Sequence, residues 1–75
     1  MSLISDKVLA VSRPYFGPAT ESFFTRQCKA HLKTELTDLT QPQLKDLAKW
    51  VEIGAGLIMD PAKAVEVAHK IAALL

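Results

Sequence analysis

The sequence predicts an all-α fold, a compact bundle of four helices at about residues 2–12, 18–33, 41–59 and 61–74, with the third helix central. Three observations predict it. Apolar residues recur along the chain with a helical rather than a two-residue period. The junctions Gly17-Pro18, Gln41-Pro42 and Asp60-Pro61 each stand in front of such a pattern. Proline suits the first turn of a helix, where its missing N–H would lack a partner anyway. Finally, 75 residues that are 49% apolar are enough for one core and too few for two.

The first helix places Ile4, Val8 and Val11 on one face, and Pro14 is expected to end it at about Ser12 by pushing the preceding residue out of helical geometry. The second is expected to start at Pro18 and run to about Lys33, followed by a loop over Thr34 to Leu39. The third carries the strongest start signal. Thr40 with Gln43 three residues on makes a capping box, and Leu39 can staple onto Leu44. Its stripe of Leu44, Leu47, Ala48, Val51, Ala55 and Ile58 is widened by Trp50, Gly54 and Leu57, so it needs cover from two sides. Gly54 and Gly56 each cost about 1 kcal/mol against alanine in a helix. A close crossing by another helix near Gly54 explains that cost best, a ligand-side distortion being the alternative. The fourth helix, capped by Asp60, is apolar along Ala64, Val65, Ala68, Ile71, Ala72 and Leu75, with Val67 and Leu74 as a second patch. Glu66 and Lys70 stand in the favourable i,i+4 order on its wet side.

Composition narrows the function. Nine basic and eight acidic residues give a net charge of +1, whereas proteins that hold nucleic acid by bulk electrostatics carry a marked basic excess. One cysteine rules out an internal disulfide and suits a reducing compartment. The opening MSLISDK lacks the pattern of a signal peptide, and the apolar run from Ile53 to Met59 is too short to span a bilayer. A cytoplasmic location without membrane contact is the expectation.

The stretch RQCKAH places Cys28 and His31 three apart on the second helix, and His69 is the one other histidine. A zinc site needs about four N or S ligands, so no metal is expected. Neither is a covalent haem, because the attachment motif is missing. A cysteine nucleophile needs an oriented base and donors for the developing charge, and no third residue supplies them, so no catalytic residue or cofactor is expected either. Cys28 reads as a small buried hydrophobe.

Thr20, Gln27 and His31 project into the apolar arc formed by Phe23, Phe24, Cys28 and Leu32. Buried amides and imidazoles need hydrogen bonds, so this set reads as a polar core, a subunit contact or a small-ligand pocket. Arg26, Lys29 and Lys33 form a basic stripe, favoured as a solvated face over a nucleic-acid reader. Ile53 and Leu57, with Val67 and Leu74, form the expected interface, because the apolar arcs exceed what one small molecule can hide. The sequence thus points to a non-enzymatic protein-interaction domain that binds another chain, with self-association the favoured form.

Overall fold

A computed structural model describes residues 3–74 and places four helices around one core. Helix α1 is Leu3–Phe16, α2 is Thr20–Gln27, α3 is Leu44–Ala55 and α4 is Pro61–Ala72. There is no strand among the described residues. The expected first residue of α1, Ser2, lies outside them, as does Leu75.

Helix α1 runs past Pro14 instead of stopping at Ser12. A proline so near the C-terminal end removes one backbone hydrogen bond without stopping the last turn. The extra turn delivers Phe16 into the core, its ring stacked on Phe23 at 4.4 Å and edge-on to Phe24 at 5.5 Å. Gly17 then breaks the helix with φ +58°, the left-handed geometry that glycine adopts without strain. A 3₁₀ turn over Gly17–Ala19 leads directly into α2, and the Thr20 hydroxyl donates to the Gly17 carbonyl at 2.6 Å. Thr20 is therefore buried and satisfied inside the fold, the polar-core outcome.

Helix α2 does not continue as a regular α-helix to Lys33. From Cys28 to Leu32 it widens into a π-turn. That turn closes on Lys33, which is left-handed at φ 53°, while the Cys28 carbonyl accepts from both Lys33 and Thr34. The following segment is pinned by Leu36 and Leu39, both buried, with a short 3₁₀ turn at Leu36–Asp38.

The capping box forms. Gln43 Oε1 accepts from the Thr40 N–H at 2.9 Å, and a 3₁₀ turn over Gln41–Gln43 runs into α3. Leu39 and Leu44 are both buried in the same core, as the staple requires. Leu44, Leu47, Ala48, Val51 and Ala55 are buried as the stripe predicts. Helix α3 is covered by α4 along one side, its largest helix contact, and by α2 with the π-turn on another. Helix α1 closes the ring against α2 and α4. The helix ends at Ala55, four residues before the expected Met59, because Gly54 and Gly56 weaken its last turn. Ile58 consequently leaves the stripe and is exposed.

Asp60 caps α4 by accepting from the Ala62 N–H at 2.9 Å. The buried stripe of α4 is Ala64, Val67, Ala68 and Ile71, rotated from the expected one. Val67 is 0% exposed and belongs to the core, Val65 faces outward, and Leu74 packs half-buried against the core. Glu66 pairs with Lys63 at 3.6 Å, and Lys70 lies over the Tyr15 ring instead.

Candidate functional site

The π-turn separates the two residues of the RQCKAH stretch. Cys28 is turned inward at 0% exposure, and burial, with the Glu35 charge adding to it, pushes its thiol up to about 11. A thiol held protonated in apolar surroundings is a poor nucleophile and a poor ligand. His31 is turned outward, where its ring lies flat on Trp50 with centroids 3.9 Å apart and planes 6° from parallel. This stack clamps the π-turn onto α3. Among the described residues no group of three or more His, Cys, Asp and Glu side chains could hold a metal ion. Cys28 and His31 thus share neither a pocket nor a face.

Nor does the basic stripe converge. Arg26, Lys29 and Lys33 are all exposed, but Lys29 reaches Glu35 at 3.9 Å, and Lys33 shares a shallow recess with Glu35 and Asp38. Arg26 lies apart from them, at the wall of a different groove. Two carboxylates beside the lysines lower the positive potential that a phosphate backbone would seek.

A second polar cluster was not visible in the sequence. Tyr15 from the extra turn of α1 meets Lys63, Glu66 and Lys70 of α4 around a recess of about 490 Å³. Hydrogen bonding from the Tyr15 hydroxyl, then the Lys63 charge, holds the Glu66 carboxyl below its ordinary value. The same hydroxyl raises Lys70. Each charge here already has a neighbour of opposite sign or an aromatic face, so the cluster ties α1 to α4.

What stands out is the junction of α2 with the end of α3. Gly54 faces α2 side chains. A Cβ built there would lie 3.1 Å from Gln27 Nε2 and 3.3 Å from Phe23 Cζ, so what presses on this glycine is the ends of two α2 side chains rather than a neighbouring backbone. Beyond it, the turn at 56–58 carries Leu57 and Ile58 at 84% and 64% exposure, with Ile53 one helical turn earlier at 51%. Next to this apolar tip runs a groove of about 350 Å³ between Phe23, Arg26 and Gln27 on α2, Gly54 on α3, and Leu57 and Ile58 on the turn that follows it. Gln27 Oε1 is buried there without a hydrogen-bond partner.

Of the four expected interface residues, Ile53 and Leu57 lie on this surface, whereas Val67 and Leu74 are taken up by the fold. Ile58 replaces them. Its exposure follows from the early end of α3, which Gly54 and Gly56 ahead of the Asp60-Pro61 start could have signalled. No known protein family matches the chain, and neither a curated protein nor a solved structure is detectably similar to it. No helix among the described residues is long and apolar enough to cross a membrane.

Proposed function

We propose that this chain is a non-enzymatic protein-interaction domain of the cytoplasm that self-associates through the apolar end of α3. The observation that carries this reading is the exposure of Ile53, Leu57 and Ile58, three large aliphatic side chains close together in the chain and each more than half exposed. Single exposed aliphatic residues are ordinary on protein surfaces, but several close together in the chain, two of them lining a groove, favour a contact site. Burying one such side chain is worth about 1.5–3 kcal/mol. The near-neutral net charge of +1 leaves little repulsion between copies. A protein of this size gains burial most cheaply by association.

Light scattering on a dilution series tests the reading. The mean mass should rise with concentration, and Leu57→Asp should hold it at the monomer value, with a melting temperature matching that of the natural chain at dilutions where the natural chain is monomeric. A monomer at every concentration, or a Leu57→Asp chain that associates normally, would count against it.

A further inference from the structure

We draw no further inference here: the strongest candidate, the groove between α2 and the end of α3 that holds the unpartnered Gln27 Oε1, carries none, because nothing in the structure shows what covers it.

Discussion

Cys28 and Lys33 show how much of this molecule is decided one side chain at a time. The Cys28 thiol titrates near 9.0 when free and near 11 in the fold. Between those values the unfolded chain has lost its proton and the folded chain keeps it, so stability falls as pH rises through that window. The decline should amount to about 2–3 kcal/mol. Urea denaturation at stepped alkaline pH checks this: Cys28→Ala should be less stable at neutral pH yet show a flatter alkaline slope. Lys33 sits at φ 53°, a conformation costing a residue with a Cβ about 1–2 kcal/mol. Lys33→Gly should therefore raise stability by about 1 kcal/mol, whereas Lys33→Ala should leave it nearly unchanged, as denaturant midpoints would report. That Cys28 is buried could be read from its place in the apolar arc. That Lys33 is left-handed could not, because lysine gives no sign of the turn it occupies.

At the scale of helices, the starts of α2, α3 and α4 were legible and the ends of α1, α2 and α3 were not. Those three starts are written in local chemistry: the Thr40 and Gln43 capping box, the Asp60 cap and the prolines after Gly17, Gln41 and Asp60. Ends depend on packing between distant parts of the chain. Helix α1 passes Pro14 because Phe16 is held by Phe23 and Phe24. Helix α2 widens at Cys28 while His31 settles on Trp50. The face of α4 rotates to bury Val67 in place of Val65, two valines that composition cannot rank. Close packing at Gly54 was legible in part, because a helical glycine carries a cost that needs a reason, but the neighbours are the side-chain ends of Gln27 and Phe23 rather than a crossing backbone. Phe23 cannot yield there, being stacked on Phe16 at 4.4 Å and edge-on to Phe24 at 5.3 Å. Gly54→Leu should then destabilise by about 2 kcal/mol despite leucine's better helix propensity. Thermal denaturation followed by Trp50 fluorescence measures that loss and reports on the His31 stack at the same time.

For the whole molecule, the question is which apolar surface the fold leaves over. The sequence pattern implied an excess and placed it on α3 and α4, and the fold absorbs the α4 share through Val67 and Leu74. Of what remains, Ile53, Leu57 and Ile58 lie at the end of α3 and in the turn after it, while Leu3 on α1 and Val65 on α4 are exposed elsewhere. Sequence periodicity cannot foresee this, because it depends on where α3 stops. The share at the end of α3 adjoins a groove walled by Phe23, Arg26, Gln27 and Gly54, and Leu57 and Ile58 stay 84% and 64% exposed there. Sedimentation equilibrium of the natural chain and of Leu57→Ser, from micromolar to millimolar concentration, tests this most directly. The account predicts a monomer–dimer equilibrium for the natural chain that shifts at least about tenfold toward monomer in the variant. Identical monomer distributions for both proteins across that range would contradict it.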